Sequence, residues 1–228
     1  MSGNVPEKRE QGLLNRTTGT ITTSLGVLFA AAGFEHGLFE ALQGNKPTDG
    51  LMIQAIGEST QSWEFGGEDA LTIVPNFLMT GICAMSVSIF IIIWSLFFLR
   101  RRNGRTVFLP SFFILFLVGG GIAVIPFFVI TWAYSTKMDK PLIWWRKKLT
   151  GKRQELISRI WPYSLVAAVA CCLVALEIAI LGYFPGQTDA DVILSINAAF
   201  LLLTMIFINL SFISGFAKDV GVRESGLE

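Results

Sequence analysis

The chain has 228 residues, of which 52% are hydrophobic and only 15% are charged, and its mean hydropathy is +0.58. Soluble domains carry about 25% charged residues, so this composition excludes an ordinary soluble domain, and the net charge of +1 gives no indication of nucleic-acid binding. Five long runs are almost free of charge: 17–42, 72–99, 107–134, 161–184 and 192–217. Each has the roughly 20 residues that a transmembrane helix needs. We therefore predict one all-α, multi-pass membrane domain over 1–228.

The first apolar run carries a stripe of small residues. On an α-helix, Gly26, Ala30, Gly33, Gly37 and Ala41 fall at spacings of four, three, four and four residues, so they share one face. Small residues at such spacings allow two membrane helices to approach closely. We predict that this face packs against a neighbouring helix.

The same run contains the only histidine of the chain, within the stretch GFEHGLFEALQG. His36 and Glu40 are four residues apart, so they lie close enough on a helix to form a hydrogen bond, and Glu35 lies about 100° further round. Ionisable side chains inside a membrane usually face the bundle interior. Glu177, in the fourth run, is another such residue, and it lies at nearly the depth of Glu35 if the two helices run in the same direction.

These four residues predict a polar cluster with three possible roles. Glu35, His36, Glu40 and Glu177 form a path for a cation or proton, a structural hydrogen-bond network, or the ligand set of a metal ion. No HExxH or HxxxH spacing supports the metal, and no cofactor is evident. The single histidine also excludes haem held by two histidines, and no lysine within an apolar run is available for a Schiff base.

The loop between the first two runs, 43–71, is acidic and contains only one basic residue, Lys46. We predict that it lies outside the cytoplasm, because cytoplasmic loops are enriched in Lys and Arg. Its apolar segment LMIQAI, at 51–56, is predicted to be a short interfacial helix.

The third run, 107–134, has Gly119, Gly120 and Gly121 at its middle and a proline in each half. If all five runs cross the membrane with the amino terminus inside, only 7 of the 18 Lys and Arg residues lie inside; if the third run enters and leaves on one side, 17 do. Three consecutive glycines permit a sharp turn. The alternatives are therefore four spans with a re-entrant third run whose tip is at the glycines, or a fifth, tilted span whose glycines allow close packing.

The segment 135–160 is strongly basic and is predicted to lie at the cytoplasmic interface. Tryptophans next to a basic cluster are typical of a helix lying on anionic lipid head groups. The residues expected to make this contact are Trp144, Trp145, Arg146, Lys147 and Lys148. The alternative is a basic loop that only sets the topology. Both termini, including the tail 1–16, are predicted to be cytoplasmic.

The stretches GFEHGLFEALQGN, TIVPNFL, FLVGGGIAVIPFF and PLIWWRKKL resemble a group of small, uncharacterised bacterial multi-span membrane proteins. The resemblance implies a membrane location but no activity, cofactor or site residue. We expect a cell-membrane protein, either a small channel- or transporter-like protein for a cation or proton, or an accessory subunit that docks a membrane partner or a second copy through the small-residue stripe. An enzyme is the least favoured class, because no P-loop, CxxC or GxSxG motif is present.

Overall fold

The computed structural model describes residues 15–101 and 104–225, with side chains as far as residue 222. Within them, four helical stretches are long and apolar enough to cross a membrane, as expected for a helical membrane protein: Arg16–Leu42, Phe77–Phe97, Gly151–Leu181 and Ala190–Val222. The elements in chain order are α1 (Arg16–Leu42), β1 (Met52–Gln54), β2 (Asp69–Leu71), α2 (Phe77–Phe97), α3 (Gly104–Leu117), α4 (Ile125–Ser135), α5 (Ile143–Lys148), α6 (Gly151–Ser158), α7 (Trp161–Leu181) and α8 (Ala190–Ser225).

The third apolar run folds into two short helices, α3 and α4, of 14 and 11 residues. Each is shorter than the roughly 20 residues of a transmembrane helix. The chain turns back between them at Gly119 and Gly121, whose φ angles of +98° and +82° lie in the left-handed region that favours glycine. At the open end, Arg105 pairs with Asp139 and also donates to the backbone oxygen of Thr136 at 3.3 Å. We call α3, the connecting residues and α4 the glycine hairpin, and 118–122 its tip.

The loop 43–71 contains two antiparallel strands, which an all-α class does not include. The prediction of a helix at LMIQAI is wrong: Ile53 pairs with Ala70 in β1 and β2, and both residues are buried. The pairing continues beyond β1, because the N–H of Ala55 donates to Glu68 O at 2.8 Å. Alternate burial suits a strand with one covered face, and this pairing satisfies backbone groups that a short helix would leave open at its ends.

The small-residue stripe of α1 faces α2 and α3 of the same chain. A methyl group added at Gly37 would lie 2.8 Å from the backbone oxygen of Gly81 in α2. Towards the start of α1, added methyl groups at Gly33 and Gly26 would lie 2.7 Å and 2.9 Å from Leu115 and Phe108 of α3. Of the other stripe members, Ala30 is fully buried, and Ala41 is half-buried next to Gly81. The stripe therefore packs inside the protein.

The elements meet at two ends of the bundle. At the first, which we call the base, the backbone N–H of Asn15 donates to Met138 O at 2.7 Å, which joins the start of α1 to the open end of the glycine hairpin. At the opposite end of the bundle, which holds β1 and β2 and which we call the sheet end, Trp63 of the 43–71 loop donates its indole N–H to Ala179 O near the end of α7, at 2.7 Å. The hairpin tip also lies at the sheet end, since Gly119 donates to Leu71 O of β2 at 2.9 Å.

The basic segment predicted to contact lipid forms α5 and α6 at the base. Trp145 packs inward, with its ring 5.1 Å from that of Phe216 on α8, whereas Trp144 is 59% exposed. In α6, Gln154 is buried and donates to Ala217 O at 3.2 Å. Most of the predicted tail 1–16 and the arginine at position 102 lie outside the described residues.

Candidate functional site

The chain's only histidine is buried near the sheet end of α1. His36 is 5% exposed, and its Nδ1 lies 3.1 Å from the backbone oxygen of Ala32, one turn earlier. A carbonyl oxygen can only accept a hydrogen bond, so this contact assigns a proton to Nδ1. The other ring nitrogen, Nε2, lies 3.4 Å from a carboxyl oxygen of Glu68 and has no hydrogen-bond partner. His36 therefore presents one free nitrogen to a carboxyl group.

Glu68 reaches His36 from the 43–71 loop through an unusual backbone conformation. Its φ of +54° lies in the left-handed region, which costs a residue with a side chain roughly 1–2 kcal/mol. The conformation is held because the backbone oxygen of Glu68 accepts from Ala55 N–H, and that of its neighbour Gly67 accepts from Ile56 N–H at 2.9 Å. The strand pairing thus fixes the Glu68 carboxyl beside His36.

Glu40 is fully buried one turn beyond His36, and neither of its carboxyl oxygens has a hydrogen-bond partner. The hydroxyl of Thr80 lies beside it, but that hydroxyl already donates to Val118 O at 2.8 Å and lies 2.6 Å from the hydroxyl of Thr72. Burying a charged carboxylate without such partners is far more costly than burying the neutral acid. Glu40 is thus a carboxyl group whose environment calls for a proton or a cation.

The tip of the glycine hairpin closes over both side chains. A methyl group added at Gly119 would overlap the two carboxyl oxygens of Glu40, and one added at Gly121 would lie 2.6 Å from Nε2 of His36. The tip is held in place because the N–H of Ile122 donates to Asp69 O of β2 at 3.2 Å, in addition to the bond from Gly119. At these two positions glycine supplies both the left-handed backbone and the space for the side chains of α1.

The structure brings together three of the four predicted site residues and leaves one outside. Glu35 is half-buried and lines a small cavity together with His36 and Glu68. Glu177 does not join these residues, contrary to expectation, because its side chain is exposed on α7. The residue of α7 that comes next to it in the chain, Leu176, lines the cavity instead.

Sequence reasoning missed Glu68, which takes the place that Glu177 was expected to fill. Glu68 is one of five acidic residues in the 43–71 loop, and the pattern of polar and apolar residues in the loop does not distinguish it from the others. Only the pairing of β1 with β2 decides which carboxyl faces α1.

Two cavities of very different size meet at Glu68. The cavity shared with Glu35 and His36 has a volume of about 10 Å³, enough for about one water molecule. Glu68 also lines an open cleft of about 490 Å³ at the sheet end. The buried histidine is therefore separated from a wide cleft by one carboxyl group.

In the part of the chain that the structure describes, no three His, Cys, Asp or Glu side chains are arranged to hold a metal ion. Comparison of the chain with protein-family profiles, with curated proteins and with solved structures gives no match.

Proposed function

We propose that this protein is a small transporter- or channel-like membrane protein that moves protons through Glu68, His36 and Glu40. The observation that carries the proposal is the pair of buried, incompletely bonded groups at the hairpin tip: Nε2 of His36 and the carboxyl of Glu40. In most proteins, buried polar groups have hydrogen-bond partners, and exceptions call for a functional explanation. A titratable group that binds and releases protons supplies that explanation.

The proposal includes an orientation in the cell membrane, with the base on the cytoplasmic side. The base holds the basic residues of 135–160 and Arg100, Arg101 and Arg105, as the positive-inside rule requires of a cytoplasmic face. The glycine hairpin then enters and leaves the membrane from the cytoplasm. The unpaired backbone of such a hairpin must be covered by protein, and the hydrogen bonds from the tip to β2 provide that cover. Trp144 and its basic neighbours rest on anionic head groups in this arrangement.

The size of the cavity beside His36 favours protons over larger ions. A volume of about 10 Å³ admits about one water molecule and excludes a hydrated cation. A proton accepted by Glu68 from the open cleft reaches Nε2 of His36 across 3.4 Å. The two side chains are not hydrogen-bonded to each other, so the next step, from His36 to Glu40 four residues along the same helix and under the same tip, runs through a water molecule.

Glu40 lies one turn nearer the sheet end than His36, so from Glu40 the proposed path turns back along the contact between α1 and α2 towards the base. The hydroxyl groups of Ser88 and Ser95 are buried there without hydrogen-bond partners, opposite Gly33 and Gly26. The two serines are seven residues apart, or about 10.5 Å along α2. Direct transfer across that distance is not possible, so this part of the path requires water that enters when the helices separate.

A structural network at these residues and an accessory subunit docking through the small-residue stripe both have less support. A structural network would complete its hydrogen bonds, and Glu40 does not. An accessory subunit docking through the small-residue stripe would need that face to be free, and α2 and α3 of the same chain fill it at Gly26, Gly33 and Gly37.

The proposal is tested by proton flux into liposomes that contain the purified protein and a pH-sensitive dye, with an imposed pH gradient. Glu40→Gln should lower the flux at least about tenfold, because the amide keeps the shape of the side chain but cannot carry a proton. Glu177→Gln is the matched control, since Glu177 is also a membrane-helix glutamate but lies outside the site. Its flux should equal that of the wild type. Wild-type flux no higher than in protein-free liposomes, or an unchanged flux in Glu40→Gln, would overturn the proposal.

A further inference from the structure

The open cleft at the sheet end, which we call the acidic cleft, has the size of a small-molecule site. Its volume of about 490 Å³ falls within the range of roughly 300–1,000 Å³ that is usual for ligand pockets. The 43–71 loop, the hairpin tip, α7 and α8 all contribute to its wall. Three acidic residues line it: Glu64, Glu68 and Asp69.

In the described part of the chain, the basic group beside the acidic cleft is the imidazole of His36, 3.4 Å from a carboxyl oxygen of Glu68. No Lys or Arg is present among the described residues that line it, and none of its three carboxyl groups forms an ion pair with Lys or Arg within 15–101 and 104–222. Lys46, in the same loop, lies 5.1 Å above the ring of Phe77 and lines a different cleft. A cation from solution is therefore the complementary partner for these carboxylates.

A second, independent observation places a hydrogen-bond acceptor in the same wall. Asn197 of α8 is only 9% exposed, and its side-chain oxygen has no hydrogen-bond partner. Leaving a buried amide oxygen unpaired is destabilising, because the oxygen loses its hydrogen bonds to water and gains none in return. A ligand N–H in the cleft would remove that cost, so the wall presents an acceptor as well as negative charge.

Aromatic rings form a third part of the wall. Trp63 and Phe65 pack edge to face with ring centres 5.4 Å apart. The indole N–H of Trp63 is already bonded to Ala179, which fixes the orientation of the ring. The faces of such rings attract organic cations, including ammonium groups. Carboxylates, an amide oxygen and aromatic rings together suit an ammonium group on an organic chain better than a bare metal ion.

We propose that the acidic cleft binds a small organic cation that carries at least one primary ammonium group. Its N–H groups donate to Asn197 and to the carboxylates of Glu68 and Asp69, and its alkyl chain lies against Trp63 and Phe65. The proposal rests on the proposed function in one respect: Glu68 belongs to both sites, so an ammonium group and a proton compete for the same carboxylate.

The test is titration calorimetry of the full chain in detergent with 1,4-diaminobutane as the probe. We expect saturable binding that Asp69→Asn and Asn197→Ala each weaken about tenfold, as the loss of one hydrogen bond involving a charged group predicts. Glu58→Gln is the matched control, because Glu58 belongs to the same loop but lines the other cleft. It should bind like the wild type. Circular dichroism of every variant shows whether it is folded.

Three results would overturn the inference: no saturable binding to the wild type, equal binding of Mg²⁺ and the diamine, or equal weakening by Glu58→Gln. Glu40→Gln separates this inference from the proposed function, because Glu40 does not line the acidic cleft. That variant should bind the diamine normally although its proton flux is lost. Diamine binding by a wild type that moves no protons would contradict the proposed function and the competition at Glu68, and would leave the binding site established.

Discussion

Helix α1 has a buried carboxyl group at each of its ends, and the two are bonded very differently. At the base, Asp219 of α8 is 5% exposed and accepts from the backbone N–H groups of Thr17 and Thr18, both at 2.9 Å, and from the Thr18 hydroxyl at 2.6 Å. At the sheet end, Glu40 is fully buried and its oxygens have no hydrogen-bond partner. Burial is therefore similar at both ends, and the completeness of the hydrogen bonds distinguishes a structural carboxyl from a candidate functional one.

The direction of α1 explains this difference. The first turn of a helix has free N–H groups and the positive end of the helix dipole, so it stabilises a carboxylate. Asp219 occupies this site although it lies 201 residues after Thr18 in the sequence. Glu40 lies in the last turn of α1, where free carbonyl oxygens and the negative end of the dipole disfavour an anion. The same chemical group is stabilised by the helix at the base and opposed by it at the sheet end.

The largest expected effect comes from removing the two carboxyl groups in turn. Asp219→Ala should lower the free energy of unfolding by roughly 2–4 kcal/mol, because three donors lose a charged acceptor and two of them are buried helix N–H groups. Glu40→Leu should change it by less than about 1 kcal/mol or raise it, because no hydrogen bond is lost. Denaturation in mixed micelles measures both values.

Asp219→Asn serves as the control for the base, since the amide keeps one acceptor oxygen and should retain part of the stability. Equal destabilisation by Asp219→Ala and Glu40→Leu would remove the distinction between the two ends.

A smaller effect is expected from the glycines of the hairpin tip. Gly119→Ala should destabilise the protein by about 1–2 kcal/mol for the left-handed backbone, and it should also lower proton flux, because the new methyl group displaces the Glu40 carboxyl. Gly44→Ala is the matched control: its φ is +88°, close to the +98° of Gly119, but no atom lies within 4 Å of the added methyl group.

Thermal unfolding should therefore show a loss of stability in both alanine variants, larger in Gly119→Ala because its methyl group also overlaps Glu40. Liposome flux should be lost in Gly119→Ala alone. Normal flux in Gly119→Ala would mean that contact between the tip and Glu40 has no functional role.

The smallest expected effect concerns the ion pair that closes the glycine hairpin at the base. The hydrogen bond from Arg105 is the main reason that the pKa of Asp139 lies below its ordinary value of 3.8, against the opposing effect of partial burial. A lowered carboxyl pKa contributes stability that is present above pH 3.8 and is lost as the pH falls through the folded-state value. Because Asp139 is 42% exposed, the contribution should stay below about 1 kcal/mol.

The check is the difference in melting temperature between the wild type and Asp139→Asn from pH 7 to pH 3. The wild type should be slightly more stable at pH 7, and the two curves should converge in acid. A difference that grows as the pH falls would contradict the assignment.

Several features of the fold follow from local sequence alone. Apolar length determines the four membrane-length helices, because the cost of exposing charge or unpaired backbone to lipid allows few alternatives. The three glycines mark the place where the third run turns back, since Gly119 and Gly121 adopt backbone angles that other residues avoid. Spacing along α1 also placed His36 and Glu40 on neighbouring turns, where both lie under the hairpin tip, although the hydrogen bond that this spacing allows is not formed.

Other features depended on contacts between distant parts of the chain. Glu177 faces outward although its depth resembles that of Glu35, because the rotation of α7 is set by its packing along α8 and not by its position in the run. Glu68 reaches His36, 32 residues earlier, only because β1 and β2 pair and hold its backbone in the left-handed region. Local spacing determines which residues share a helix face. The element that packs against that face depends on contacts between distant parts of the chain, and short-range periodicity does not specify these contacts.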